Sequence, residues 1–119
     1  MTDRIELTGL RAFGYHGVYP DERRDGQEFG VDAVLELDTS PAARSDDVGD
    51  TVHYGELVEA LVAVLTGGPV NLLETLAQRL VACCLADPRV RAATVTVHKP
   101  QAPIPHEFAD VSVTIRREQ

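Results

Sequence analysis

The segment VTVHKPQAPIP, residues 95–105, holds the only lysine, Lys99, in a chain that otherwise carries ten arginines. An arginine side chain stays protonated in proteins, whereas a buried lysine amine can lose its proton and act as a base. Pro100 restricts the backbone of Lys99 and so helps to aim its side chain. We therefore predict that Lys99 is a catalytic acid/base; the alternative is an ordinary surface lysine in an edge loop.

Three other side chains could bind a ligand or move a proton. Glu74 in NLLETLA lies three residues after Asn71. It either completes a capping box at the start of a helix or offers its carboxylate, beside free N–H groups, to an amidine-like or guanidine-like edge. Tyr54 follows TVH. It either belongs to the site or is a half-buried helix aromatic whose hydroxyl contacts water. Glu22 in YPDER either belongs to the site or is a solvent-exposed charge in a loop.

Metal chemistry and nucleophilic hydrolysis have no motif in this chain. The four histidines form neither H-x-H nor H-x-x-x-H, so we expect no metal and no cofactor. G-x-S-x-G, P-loop and G-x-G-x-x-G patterns do not occur. Cys83 and Cys84 are adjacent in an apolar helical pattern and point about 100° apart, so we expect inert, reduced thiols.

Charge and composition narrow the class of partner. The 119 residues carry a net charge of -8, which repels nucleic acid and anionic membranes, and we expect neither as a partner. The N-terminal stretch MTDRIELTGL lacks the apolar core of a signal peptide, and no stretch approaches the roughly 18 apolar residues of a membrane span. The lack of a signal peptide and the unpaired cysteines together predict a cytoplasmic protein. The length predicts one domain, residues 1–119.

The elements that must hold these residues follow from hydrophobic periodicity. IELTGLRAF predicts a strand with a bulge at Gly9, and QEFGVDAVLELD predicts a regular strand with one buried face. Helices are expected over residues 54–65 and from Asn71, as N-cap, to about residue 86. AATVTVHK and ADVSVTIRR predict two more strands. The buried face of the regular strand comprises Phe29, Val31, Ala33, Leu35 and Leu37.

The element order is ββααββ, which predicts an α+β domain with a four-stranded antiparallel sheet and two helices on one face. Such a sheet leaves two exposed edges and a polar second face. Exposed strand edges can pair with other chains and aggregate. If the edges of several copies join into a closed barrel, no free edge remains. A domain this small is also marginally stable alone, so we expect it to oligomerise.

Four blocks of the sequence together resemble dihydroneopterin aldolase of folate biosynthesis, in order and over nearly the whole chain. They are GYHGVYPDERRDGQEFGVD, SDDVGDTVHYGEL, NLLETLA and VTVHKPQAPIP. The resemblance implies the tunnelling fold, or T-fold. It also implies a pterin substrate, no Schiff base, no metal, and a homo-octamer of two tetrameric rings with sites between subunits.

The resemblance also implies site residues and a reaction. The family anchors the pterin's amino-pyrimidine edge on the residue matching Glu74, helped by the backbone at Leu73. It places Tyr54 and Glu22 in the substrate pocket and makes Lys99 the acid/base. We expect Val18 and Val52 to form the pocket wall.

By this reading, 7,8-dihydroneopterin is cleaved to 6-hydroxymethyl-7,8-dihydropterin and glycolaldehyde. Lys99, through water, removes the 2'-hydroxyl proton; Tyr54 relays a proton to the enol-like intermediate; Glu22 orients the hydroxyls. Epimerisation at the 2'-carbon is an expected side activity.

Two other functions remain open at this stage. One is the 2'-epimerase that acts on dihydroneopterin triphosphate, which the acidic balance of the chain weakly disfavours. The other is a non-catalytic pterin- or purine-binding ring, in which Glu74 binds the ligand and Lys99 is idle.

Overall fold

The structure, a computed structural model, describes residues 2–119 and forms one antiparallel sheet in the order β1-β2-β3-β4. The strands are β1 (Asp3–Gly14), β2 (Gln27–Leu37), β3 (Ala92–His98) and β4 (Ser112–Glu118). The helices are α1 (Pro20–Asp25), α2 (Ser40–Ser45), α3 (Tyr54–Thr66) and α4 (Leu73–Leu85), with a 3₁₀ turn over Val48–Asp50. The predicted ββααββ order is confirmed; α1, α2 and the 3₁₀ turn were not predicted.

The core lies between the sheet and the two long helices. Every predicted inward position of β2, from Phe29 to Leu37, is fully buried, as the alternation required. Leu57, Leu61 and Leu65 of α3 and Leu76 and Leu80 of α4 join the same buried cluster. Both helices therefore cover one face of the sheet and leave the other face open.

The bulge predicted at Gly9 is present in β1. Gly9 has a φ of +77°, and the register of β1 against β2 shifts between Leu7 and Leu10. A positive φ suits glycine, which lacks the side chain that would strain it. Because of the extra residue, apolar side chains on both sides of the bulge pack against the core: Ile5, Leu7, Leu10 and Ala12.

The predicted start of the second long helix is wrong by one residue. Leu72, rather than Asn71, is the N-cap of α4, and no side chain caps this end. The Asn71 amide oxygen instead accepts a hydrogen bond from the Arg23 guanidinium, which links α1 to the start of α4. Glu74 is thus the second helical residue, and the capping-box interpretation of Glu74 is also wrong.

His16 links the C-terminal end of α3 to the segment before α4. Its ring is 2% exposed; Nε2 lies 2.7 Å from the carbonyl oxygen of Leu65, and Nδ1 accepts the N–H of Val70 at 3.1 Å. Burial lowers the pKa of His16, the Leu65 carbonyl opposes this, and nearby cations including Arg23 lower it further. Since Nδ1 accepts and Nε2 donates, His16 is a neutral imidazole.

We predict that this arrangement destabilises the fold in acid. The unfolded chain protonates this imidazole near pH 6.5, whereas folded His16 resists protonation, so its stabilising contribution is present above that pH and declines as pH falls below it. A His16→Gln variant should be less stable by about 1–3 kcal/mol at pH 7.5 and should lack this share of the pH dependence. Urea unfolding at about pH 5.5 and pH 7.5, at one protein concentration, measures both effects. If the free energy of unfolding falls equally in the wild type and the variant between pH 7.5 and pH 5.5, the assignment of His16 as neutral is contradicted.

Candidate active site

Lys99 lies in the first position after β3, at the mouth of the loop that leads to β4. Its N–H donates a hydrogen bond to the carbonyl oxygen of Val111 at 2.7 Å, which fixes the backbone at that point. Strand alternation then directs its side chain to the helix-covered face. The side chain is only 12% exposed, and its amine forms an ion pair with Glu22. Lys99 is therefore not an ordinary surface lysine.

Glu22 is held on α1 by three donors around its carboxylate. The Tyr19 N–H donates to Oε1, the Gln27 amide donates to Oε2, and Lys99 is the third partner. Burial raises the pKa of Glu22, but the bonds from Lys99, Tyr19 and Gln27 outweigh it and hold this pKa below its usual value. A buried carboxylate thus faces the buried amine of Lys99, and the alternative of a solvated loop charge is wrong.

Gly17 makes room for this carboxylate. A Cβ built on Gly17 would lie 2.5 Å from Oε1 of Glu22, and the glycine has a φ of +153°. Both the close approach and the backbone angle therefore exclude an ordinary side chain at this position.

Gln27 belongs to the site but was not predicted from the sequence. Its side chain is 8% exposed, and its Oε1 is the one buried side-chain oxygen without a hydrogen-bond partner among residues 2–119. A signal was available: Gln27 continues the inward phase of β2, two residues before Phe29, where an apolar residue is expected. A polar side chain at such a position indicates a specific partner, here Glu22.

The Lys99–Glu22 pair opens onto a cavity of about 350 Å³. Five of the predicted site residues line it: Val18, Glu22, Leu73, Glu74 and Lys99. The first turn of α4 forms one wall and carries Glu74, whose carboxylate has no hydrogen bond or ion pair within the described chain. Val18, Leu72 and Ile104, all substantially exposed, provide apolar surface. This combination suits a flat heterocycle with N–H donors on one edge.

Two predicted site residues do not reach this cavity within one chain. Tyr54 begins α3 and is 68% exposed, away from Lys99. Val52 is 6% exposed in the core and lines a separate groove beside His53. One copy of the chain therefore brings together the lysine and both glutamates but not the tyrosine.

Metal ligands, membrane-spanning helices and cysteines are the other features of residues 2–119 that bear on function. This range contains no cluster of three or more His, Cys, Asp or Glu side chains arranged to hold a metal ion. Across the same residues, no helix has the length and apolar character needed to cross a membrane. Cys83 and Cys84 are free cysteines, and burial raises the pKa of both thiols, that of Cys84 to about 11. Both thiols therefore resist forming the reactive thiolate.

Comparisons with known proteins agree on one family. A family model described as FolB: Dihydroneopterin aldolase matches residues 5–116. The chain is 57% identical to the dihydroneopterin aldolase of Streptomyces coelicolor, covering 97% of each chain, and 39% identical to that of Bacillus subtilis, covering 98% of each. It superposes with a TM-score of 0.88 on the crystal structure of Escherichia coli dihydroneopterin aldolase in complex with neopterin, at 29% identity, covering 97% of this chain and 98% of that one.

Proposed function

Because the chain belongs to the dihydroneopterin aldolase family, we propose that its cavity binds 7,8-dihydroneopterin and cleaves it to 6-hydroxymethyl-7,8-dihydropterin and glycolaldehyde. The fold is the T-fold of that family, and the activity is that of a carbon–carbon lyase in folate biosynthesis. The single observation that carries the proposal is the Lys99–Glu22 pair, shielded from water at the end of a cavity that also holds Glu74.

The first chemical step is removal of the 2'-hydroxyl proton. The neutral amine form of Lys99 accepts this proton through a water molecule as the bond between C1' and C2' breaks and glycolaldehyde leaves. The electron pair of that bond passes to C1' and into the conjugated ring imine, so the pterin itself is the electron sink and no Schiff base forms. Glu22 holds the Lys99 amine in place and orients the substrate hydroxyls.

Binding of the pterin ring is assigned to the first turn of α4. The Glu74 carboxylate accepts hydrogen bonds from the ring N–H and amino group, and the backbone at Leu73 assists it. Glu74 is suited to this because it has no partner of its own in the described chain. The E. coli relative, whose structure contains neopterin, supports a pterin ligand for this chain.

We propose that a second copy of the chain completes the site with Tyr54 and Val52. Tyr54 is largely exposed in one chain, and the exposed Val18, Leu72 and Ile104 rim the cavity. Burying these groups between copies would place the tyrosine where it can relay a proton to C1' of the intermediate. A homo-octamer of two tetrameric rings is the assembly we propose. A cytoplasmic location fits its free cysteines.

Mixing two inactive variants tests this shared site. Lys99→Ala chains and Tyr54→Ala chains should each be inactive, but refolding them together should restore about a quarter of wild-type cleavage, because random assembly pairs an intact Lys99 with an intact Tyr54 at one site in four. Measured glycolaldehyde release gives the fraction. If both variants and their mixture are inactive, Tyr54 and Lys99 act within one chain, whereas an active Tyr54→Ala variant would show that Tyr54 does not take part.

The triphosphate epimerase is the second candidate, and the charges at the cavity disfavour it. Lys99 is the one cationic side chain that lines the cavity within the described residues, and Glu22 already pairs with it. Arg23, which lies close by, is occupied by the Gly17 carbonyl and by Asn71. Among the described residues, the cavity therefore offers a triphosphate no free cation to neutralise it.

Incubation with each substrate decides between the candidates. The purified, metal-chelated protein is expected to release glycolaldehyde from dihydroneopterin much faster than it transforms the triphosphate. Some 2'-epimer should accompany cleavage, because reversal with the aldehyde turned over inverts C2'. Selective epimerisation of the triphosphate would favour the epimerase, and binding without turnover of either substrate would favour the passive ring.

A further inference from the structure

The open face of the sheet carries a hydrogen-bonded row that crosses from β1 to the loop before β4. The N–H of Gly9, at the bulge, donates to Oδ1 of Asp32 at 2.7 Å. Oδ2 of Asp32 lies 2.7 Å from Nε2 of His98, and Nδ1 of His98 lies 2.6 Å from Oδ2 of Asp110. His98 is therefore the central link of a row that joins the bulge of β1, strands β2 and β3, and the loop.

Both ring nitrogens of His98 face carboxylate oxygens, which sets the charge of the ring. A neutral imidazole has one N–H and one lone pair, so it could satisfy one carboxylate and would repel the other; an imidazolium satisfies both. The bond to Asp110 and then that to Asp32 raise the pKa of His98 against a smaller effect of burial. The Gly9 N–H and then His98 lower the pKa of Asp32.

The surroundings of this ring are shaped to hold it. A cavity of about 280 Å³ adjoins His98, and the other charged side chains that line it are Arg11 from β1 and Glu28 from β2, of opposite sign. Gly30 pairs with His98 across the strands, and a Cβ there would lie 3.3 Å from the His98 Cβ. The glycine thus leaves the ring free to lie flat between its two carboxylates.

The row lies directly behind the proposed acid/base. His98 and Lys99 are adjacent, so they point to opposite faces of the sheet. The Lys99 N–H bonds to the carbonyl of Val111, the residue after Asp110. The His98–Asp110 bond and this backbone bond therefore close the mouth of the 99–111 loop from its two faces, and both fix the backbone from which Lys99 extends.

We propose that the His98 imidazolium, held between the carboxylates of Asp32 and Asp110, is a positioning residue that fixes the Lys99 amine in its cavity. The inference rests on the proposed function of that cavity. When His98 loses its proton, one carboxylate bond is lost, the loop mouth loosens, and the amine moves from its productive position. A misplacement of about 1 Å can cost on the order of 100-fold in rate.

The test compares steady-state cleavage of dihydroneopterin by the wild type and by His98→Gln across about pH 5.5 to 9. At the low end we expect kcat of the variant to be at least tenfold lower, with KM changed less than about threefold. The ratio of wild-type to variant kcat should fall towards one as pH rises through the titration of His98. A ratio isolates this residue because the two proteins have all their other titrating groups in common.

Two further variants keep the test decisive. Asp110→Asn removes one stabilising carboxylate, so its kcat should begin to decline at lower pH than that of the wild type. The ratio of wild-type to Asp110→Asn kcat should therefore peak between the two titrations, which keeps the test available if His98→Gln does not fold. His106→Gln changes an exposed histidine of the same loop and should match the wild type throughout. A merely structural role would lower the melting temperature and leave a pH-independent ratio.

Some results would overturn the inference. An unchanged kcat, or a kcat ratio that is constant with pH for His98→Gln and Asp110→Asn, would do so. The NMR titration of the His98 ring in the wild type must give a pKa above 6.5, and one at or below it would also overturn the inference. A wild type that releases no glycolaldehyde would refute the proposed function instead, while the ring titration would still decide whether an imidazolium is held.

Discussion

Replacing Lys99 with alanine should lower glycolaldehyde release by about 100- to 10,000-fold while the pterin ring still binds, since this is the contribution of general acid–base catalysis. The amine is the group placed to take the 2'-hydroxyl proton, whereas the ring contacts assigned to Glu74 lie on α4. Lys99→Arg is the sharper variant, because it keeps the charge beside Glu22 but cannot serve as a base. Single-turnover cleavage and fluorescence titration with pterin measure the two effects separately.

A stability control distinguishes loss of catalysis from loss of structure. Removing one partner of a buried pair leaves the other charge uncompensated, so Lys99→Ala should also cost about 3–5 kcal/mol of folding free energy. Adding Glu22→Gln removes that charge, and the double variant should regain most of the stability without any activity. Appreciable cleavage by Lys99→Arg or by the double variant would show that Lys99 is not the base.

Replacing Glu74 with alanine should weaken pterin binding by about 100-fold, because a charge-assisted, two-point acceptor is lost. The carboxylate is exposed in the free chain and has no other partner there, so the melting temperature should change little. Fluorescence titration with neopterin gives the affinity. Glu74→Gln keeps the shape of the side chain but loses the charge, so its affinity for neopterin should lie between those of the wild type and the alanine variant.

A matched glutamate gives the control for this result. Glu59 is an exposed glutamate of α3 that does not line the Lys99 cavity, and Glu59→Ala should bind pterin as the wild type does. Equal affinity for Glu74→Ala and Glu59→Ala would remove Glu74 from the binding site.

Periodicity predicted the regular elements well because burial on one face sets their pattern. The alternation in β2 and the helical stripe of α3 correspond closely to the structure, and the phase change at Gly9 marked a real bulge. Local preference failed where a distant partner competed. Asn71 is a good N-cap by residue type, but Arg23, 48 residues away, takes its amide oxygen.

The site itself was only partly accessible to sequence reasoning from residue types. The single lysine marked Lys99, yet nothing local indicated that Glu22 is buried, because its carboxylate is covered through the contact with Lys99, far along the chain. Tyr54 and Val52 were assigned through the family resemblance. No pattern in one chain encodes which residues of two copies meet, and a single copy leaves both away from the cavity.

The most direct test of the central claim is one turnover of dihydroneopterin in D₂O by the wild-type protein, with the product analysed by mass spectrometry and NMR. If Lys99 triggers cleavage and the ring takes up the electron pair, the new proton at C1' comes from an exchangeable group. We therefore predict glycolaldehyde in equal amount to 6-hydroxymethyl-7,8-dihydropterin carrying one deuterium on its hydroxymethyl carbon. Product without deuterium at that carbon, or no glycolaldehyde at all, would contradict the account.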